Sequence, residues 1–292
     1  MLMKNNLHDN TIDTYSHPRY IINQSEAMEE IVSSMAVEMS QLDGDLVIPL
    51  SGGIQSTFTA AIAAAAGIKS NLVHVRRRGE SSHDKESKNA HNLAEFLQLP
   101  YRSIAVDDND ILEHVKQSTS ILSQYQEKSV ITSKDIMNNV IWCIINKSFQ
   151  DKTIIMGSGF NTLMGNGRGK TNDELNKIVL SSHKKFFQTA EYAGTTLNNN
   201  NLFVPSLTSP VFDSFSRIDY SIFHNTNIVR QSAFLLGVPS VALQIKHISP
   251  MDSLDVSQII NNKVISDLKE LGDIPHNPQD TISSMWIRNN TR

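Results

Sequence analysis

The chain has 292 residues, 39% of them hydrophobic and 19% charged, so it can bury a large core as one big domain or two smaller ones. A net charge of −4 and a pI near 6.2 argue against a general nucleic-acid binder. A single cysteine, Cys143, rules out an intrachain disulfide framework or a cysteine-rich zinc cluster; set among apolar residues, it reads as a small buried hydrophobe in a reducing compartment.

Residues 1–23 read as a lead-in. Met1 to Tyr15 is asparagine-rich and lacks the apolar core of a secretion signal. The longest apolar run, Ala60 to Gly67, is too short to span a bilayer, so a cytoplasmic protein without membrane contact is expected. Ser25 is placed to cap a helix to about Gln41, with Met28, Ile31, Val32, Met35 and Met39 on one face. A turn at Asp43-Gly44 precedes a strand over 45–50. Ser51-Gly52-Gly53 then turns into an alanine-rich helix that stops at Gly67. A second strand, Asn71 to Arg76, is followed by polar residues 77–83. A helix from Asp84 to about Leu97 carries the stripe Ala90, Leu93, Ala94 and Leu97. A third strand runs from Tyr101 to Val106. The acids Asp107, Asp108 and Asp110 stand at its end and suit the start of a helix over 109–118. A helix from Lys134 to Phe149 and a fourth strand, Thr153 to Met156, lead into Gly157-Ser158-Gly159.

Beyond Asp173 helices dominate, over about 173–193, 214–222, 226–236 and 255–271, while Asn198 to Pro210 reads as irregular. The expected architecture is α/β: a parallel sheet with helices on both faces over 24–172, then a helical half over 173–292. Ligands of such sheets bind at the carboxyl ends of the strands. The Ser51 loop, residues 77–83, the acids at 107–110 and the Gly157 loop all lie at strand ends and can line one crevice.

Ser51-Gly52-Gly53-Ile54-Gln55-Ser56-Thr57 has the makings of an anion cradle. Two glycines allow a sharp turn and close approach, a helix N-terminus offers unpaired N–H groups, and three hydroxyls add donors. The stretch resembles the PP-loop ATP pyrophosphatase signature, Ser-Gly-Gly-x-Asp-Ser-Ser/Thr, with Gln55 in the acidic position. Gly157-Ser158-Gly159-Phe160-Asn161-Thr162-Leu163-Met164-Gly165 resembles a second loop, Gly-Glu-Gly-Ala-Asp-Glu-Leu-Phe-Gly-Gly, of the asparagine synthetase synthetase domain. Gly157, Gly159, Leu163 and Gly165 match; Ser158, Asn161, Thr162 and Asn166 depart. Pro210-Val211-Phe212-Asp213 is similar to that family's Pro-Phe-Leu-Asp. Asn227 to Pro239, with Ala242-Leu243-Gln244 and Ser249, is similar to its C-terminal helix and loop.

The resemblance implies the adenine nucleotide alpha hydrolase-like fold and a definite chemistry. ATP binds at the sheet edge, a carboxylate attacks the α-phosphorus to give an acyl-adenylate and pyrophosphate, and an amine or ammonia completes an amide. The nucleotide-binding set is then Ser51, Gly52, Gly53, Gln55, Ser56, Thr57, Val75, Gly157, Ser158 and Gly159. The family's Mg²⁺-holding acids fall on Gln55 and Asn161, both neutral amides, so the metal is in doubt and Asp107, Asp108 or Asp173 would have to replace them. The family's lysine is absent at Ser240-Val241-Ala242, and Lys246 is the substitute. Gly165 to Thr171 is one residue short of a Walker A loop and reads as a lid whose Arg168 and Lys170 close over phosphates. Arg76-Arg77-Arg78 is either a solvated turn or a phosphate or carboxylate contact.

Residue 2 is Leu2, not the nucleophilic cysteine of a glutaminase, and the stretch before the first strand is too short for a glutaminase domain. Nitrogen would therefore come from ammonia, another subunit or a substrate amine, which points to amide or lactam formation in specialised metabolism. Small-molecule partners and a homodimer or partner protein are expected. The alternative is a catalytically degenerate relative that keeps the nucleotide-shaped fold as a binding or regulatory subunit, or runs another reaction. The histidines show no HxxxH or HxH spacing for zinc, and no Ser-His-Asp set can be singled out.

Overall fold

The computed structural model describes residues 20–51, 53–79, 81–123, 133–163, 171–186, 201–225, 227–243, 258–260 and 262–263. Its elements are α1 (Gln24–Ser40), β1 (Leu46–Pro49), α2 (Ile54–Ala65), β2 (Ser70–Arg77), α3 (Ser81–Leu97), β3 (Tyr101–Val106), α4 (Asp108–Ser123), α5 (Ser133–Ser148) and β4 (Thr153–Ile155). They continue with α6 (Phe160–Leu163), α7 (Asn172–Phe186), β5 (Asn201–Phe203), a 3₁₀ turn (Pro205–Leu207), α8 (Ser209–Ser216), α9 (Tyr220–Asn225), α10 (Ile228–Leu235) and α11 (Ser240–Leu243).

The five strands form one parallel sheet in the order β3-β2-β1-β4-β5. The chain moves outward from β1 through β2 to β3, returns to the other side of β1 for β4, and moves outward again to β5. The strand order therefore reverses between β1 and β4, where open α/β sheets form their ligand crevice.

The side chains alternate as a pleated strand requires. Leu46, Ile48, Leu72, Ile155 and Phe203 face one core with Met28, Ile31, Met35 and Met39 of α1, Phe58 and Ile62 of α2, Leu93 of α3, and Val211, Phe212 and Phe215 of α8. Val47, Val73, Val75, Val106, Ile154 and Met156 face the other, with Ile111 and Val115 of α4 and Val140, Ile144 and Ile145 of α5. Residues 258–260 are helical, and Ile259 and Ile260 are buried in this second core. Both faces are covered, as the near-continuous apolar runs of β1 and β2 foretell. Cys143 is fully buried, as expected of a small hydrophobe.

Five local differences from the sequence reading have physical causes. The helix read over 214–222 is two helices, α8 and α9, parted where residues 217–219 pair with Ile21 instead (Ile21 N–H to Arg217 O 2.7 Å, Asp219 N–H to Ile21 O 2.9 Å). The cap of α1 is Asn23, not Ser25: its side chain accepts from the N–H groups of Ser25 (2.9 Å) and Glu26 (3.2 Å). α4 extends to Ser123, because the apolar stripe continues to the buried Leu122. A short helix, α6, follows Gly159. The stretch 198–210, read as irregular, contains β5, whose register on β4 is Ile154↔Leu202 and Ile155↔Phe203. A three-residue strand shows no periodicity of its own, and its pairing comes from β4.

Candidate functional site

The first loop begins where β1 stops. Leu50 N–H still donates to Val73 O (2.7 Å), while the Leu50 carbonyl accepts from Nδ1–H of His74 (2.9 Å), a buried side chain on β2. A carbonyl only accepts, so Nδ1 carries a proton. Ser51 N–H donates to Ser56 Oγ (3.2 Å), and the Ser56 hydroxyl donates to the Gly53 carbonyl (3.1 Å). With the Ser56 proton used there, the Ser51 hydroxyl donates to Ser56 Oγ (3.1 Å) and accepts from Gly53 N–H (3.3 Å). The two serines thus hold the loop against the first turn of α2.

That turn itself is left open. Its N-cap is Gly53, with φ −86° and ψ 157°, and no side chain caps it. The first intrahelical bond is Thr57 N–H to Gly53 O (3.1 Å), so the N–H groups of Ile54, Gln55 and Ser56 have no acceptor within the helix. The same turn holds two buried polar atoms without hydrogen-bond partners, Gln55 Oε1 and Thr57 Oγ1. Uncapped N–H groups at the positive end of a 12-residue helix suit an anion.

The second loop crosses the reversal point and touches the first. A Cβ on Gly157 would lie 2.9 Å from Ser56 Cα, 3.1 Å from Gln55 O and 3.1 Å from Ser56 N, so backbone packs on backbone here. Gly159 has φ 96°, in the left-handed region. The Ser158 carbonyl accepts from the Ser206 hydroxyl (2.7 Å), which ties this loop to the segment after β5. Phe160 is buried edge-on against Phe58 (5.7 Å) and near Phe215 (6.0 Å), anchoring both loops in one core.

The sheet thus brings Ser51, Gly53, Gln55, Ser56 and Thr57 together with Gly157. Ser158 and Gly159 follow in the same loop. Val75 is buried in β2 with its side chain in the core beside α4 and α5. Asn161 lies in α6; its side chain, together with Gly52, Arg168, Lys170 and Lys246, lies outside the described residues. The sequence reading missed His74 and Ser206. His74 carries a signal only in retrospect, as a polar residue inside the apolar strand Leu72 to Val75.

The acids after β3 are engaged in structure. Asp107 N–H donates to Asp110 Oδ2 (3.1 Å) and Asp110 N–H to Asp107 Oδ1 (3.0 Å), a reciprocal cap of α4. Asp108 forms a bidentate pair with Arg77, Nε at 2.8 Å and Nη2 at 2.9 Å. Arg76 Nε donates to Ser103 Oγ (3.2 Å), and Arg78 is exposed, 4.0 Å from Asp107. Asp173 is exposed in the first turn of α7.

These residues fit the two groups that the family resemblance implies unequally. The open helix turn fits a phosphate. For a divalent cation the donor set is poor: Gln55 offers one neutral oxygen, and among the described residues no group of three or more His, Cys, Asp or Glu side chains is arranged to hold a metal. No helix among the described residues is long and apolar enough to cross a membrane.

Residues 24–148, under half of the chain, match the family model of NAD synthase. The stretch holds β1 to β3 and the Ser51 loop, so its likeness to the PP-loop ATP pyrophosphatases rests on the same residues as the loop signature. The family named by the match is NAD synthase, not asparagine synthetase. No curated protein matches the chain. Among solved structures, similar ones include an NMN synthetase from Francisella tularensis, with 11% identity, TM-score 0.42, and 93% of this chain and 97% of that one covered. An NH₃-dependent NAD synthetase from Campylobacter jejuni subsp. jejuni, in complex with the nitrate ion, has 11% identity and TM-score 0.40, covering 92% and 94%. An NAD⁺ synthetase from Burkholderia pseudomallei has 12% identity and TM-score 0.41, covering 93% and 89%.

Proposed function

We propose that the chain is an ATP-dependent carbon–nitrogen ligase that activates a carboxylate at the β1/β4 crevice. The observation that carries this reading is the backbone contact between the open first turn of α2 and Gly157, at the point where the strand order reverses. The match of residues 24–148 to NAD synthase supports it from sequence.

In this reading the N–H groups of Ile54, Gln55 and Ser56 receive polyphosphate oxygens, and the Ser51–Ser56 pair keeps the turn in shape. A substrate carboxylate oxygen attacks the α-phosphorus. The bond from the α-phosphorus to the bridging oxygen breaks, and pyrophosphate leaves with the electron pair. Ammonia or an amine then attacks the acyl carbon, AMP leaves, and the nitrogen loses a proton. The chain's contribution is alignment and fixed dipoles, which act without reorganising during the step. Mg²⁺, where bound, would neutralise phosphate charge. Arg168, Lys170 and Lys246 remain proposed cationic contacts, and an asparagine synthetase-like substrate or a role in specialised metabolism is the narrower form of the same proposal.

A second reading has its own support. The neutral side chain at residue 55 favours a relative that binds nucleotide without turnover. The two separate in one assay: pyrophosphate release from ATP with ammonium and a panel of aromatic and aliphatic carboxylates. Release that requires one carboxylate is expected of the ligase. Saturable ATP binding with no release from any carboxylate identifies the binding subunit.

A further inference from the structure

We propose that the crevice takes its nucleotide as the free polyphosphate anion, without a divalent cation, and that Gln55 is the binding residue that sets this preference. The proposal rests on the nucleotide reading above and deepens it.

Gln55 is the second residue of α2, in the turn whose N–H groups lack acceptors. Its Oε1 is buried and accepts no hydrogen bond, so no partner fixes which end of the amide faces the crevice. Facing a polyphosphate, the Nε2–H₂ donors are the end of the amide that binds. A first turn with open N–H groups and an amide able to donate is a set of donors, suited to phosphate oxygens directly.

A cation-bridged site needs the opposite, hard anionic oxygens around the metal. Among the described residues, the acids at the carboxyl end of β3 do not supply them. Asp108 is held by both donors of Arg77, and Asp107 and Asp110 cap α4 through each other's N–H groups. Recruiting any of them to a metal would break an ion pair or uncap a helix. With no carboxylate in the turn there is no repulsion between protein and polyphosphate for a cation to relieve, and the donors meet the full phosphate charge when it is bare.

The test is titration calorimetry of the full chain with ATP, once in excess EDTA and once in excess Mg²⁺. The expected result is affinity about tenfold or more tighter in EDTA than in excess Mg²⁺, where nearly all ATP carries the cation. Gln55→Asp should weaken binding in EDTA by about tenfold or more, with Mg²⁺ recovering it, because a carboxylate beside a polyphosphate needs a counter-charge. Gln55→Ala should weaken binding several-fold in EDTA and less in Mg²⁺, narrowing the difference between the buffers, through the loss of one charge-assisted donor. Thermal melts show whether each variant folds, and the wild-type comparison needs no variant. Wild-type affinity that is equal in the two buffers, or tighter with Mg²⁺, overturns the proposal while leaving the nucleotide reading intact. Absence of ATP binding in both buffers overturns the two together.

Discussion

Two strand-to-helix turns stand at the same edge of the sheet and solve one problem in opposite ways. After β3, Asp107 and Asp110 exchange hydrogen bonds with each other's N–H groups, and Asp108 is clamped by Arg77. Every charge there is answered within the protein. After β1, Gly53 caps nothing, the first-turn N–H groups are open, and Gln55 Oε1 and Thr57 Oγ1 have no partners. Unmet polar groups cost about 1–3 kcal/mol each when buried. The open first-turn N–H groups are the ones a phosphate can answer; the buried Oε1 and Oγ1 are sealed from it. Acidic residues at a sheet edge look like chemistry in sequence, yet here they are a helix cap. The glycine turn looks like mere punctuation, yet it is the open one.

The sharpest way to break the comparison is Gly157→Ala. Its Cβ would meet the Ser56 backbone at 2.9 Å, and no flexible side chain can yield. Overpacking of this kind costs about 1–3 kcal/mol, and the first turn of α2 must shift to absorb it. Urea denaturation should show that loss, and calorimetry should show nucleotide affinity falling by about tenfold or more. Unchanged stability would mean that the two loops do not touch.

Removing the closed cap should act on stability alone. Asp107→Ala removes the acceptor for Asp110 N–H, which costs about 0.5–2 kcal/mol for an N-cap. Nucleotide affinity should stay within twofold of wild type. A large loss of affinity with little loss of stability would put Asp107 in the ligand site and dissolve the contrast between the turns.

Much of this architecture is legible in the amino-acid sequence. The first four strands, the helices between them and the parallel sheet follow from apolar runs and 3.6-residue stripes, because both cores draw on strictly alternating strand residues such as Val47 and Ile48. The loop at Ser51 is legible because two glycines after an apolar run leave few alternatives to a tight turn. What stays hidden depends on partners distant in sequence. β5 is three residues long and exists through its pairing with β4. The role of Gly157 lies in a contact with Ser56, which belongs to a different strand-to-helix turn. His74 reads as an ordinary strand residue until Leu50 O is seen to accept its Nδ1–H. The acids after β3 carry two readings in sequence, a helix start or spare metal ligands. Hydrogen-bond geometry decides between them.

The smallest predicted effect tests whether a closed turn betrays itself by pH alone. Asp219 precedes α9 much as Asp107 precedes α4. Partial burial pushes its carboxyl up, but the Ser221 hydroxyl (2.6 Å), the Asn172 amide (3.0 Å) and Ser221 N–H (3.0 Å) outweigh this and hold it below its ordinary value. A carboxylate with a depressed folded pKa adds stability that is present above its unfolded pKa and lost as pH falls through the folded one. Between about pH 5 and pH 2, Asp219→Asn should therefore flatten the acid limb of the urea-derived stability curve, and at neutral pH it should be modestly less stable than wild type. Nucleotide affinity should not move, because these donors already answer the carboxylate. An acid limb of equal slope in the two proteins would show that Asp219 gains nothing from its three donors on folding, and the likeness between the two closed turns would then be one of shape and not of charge.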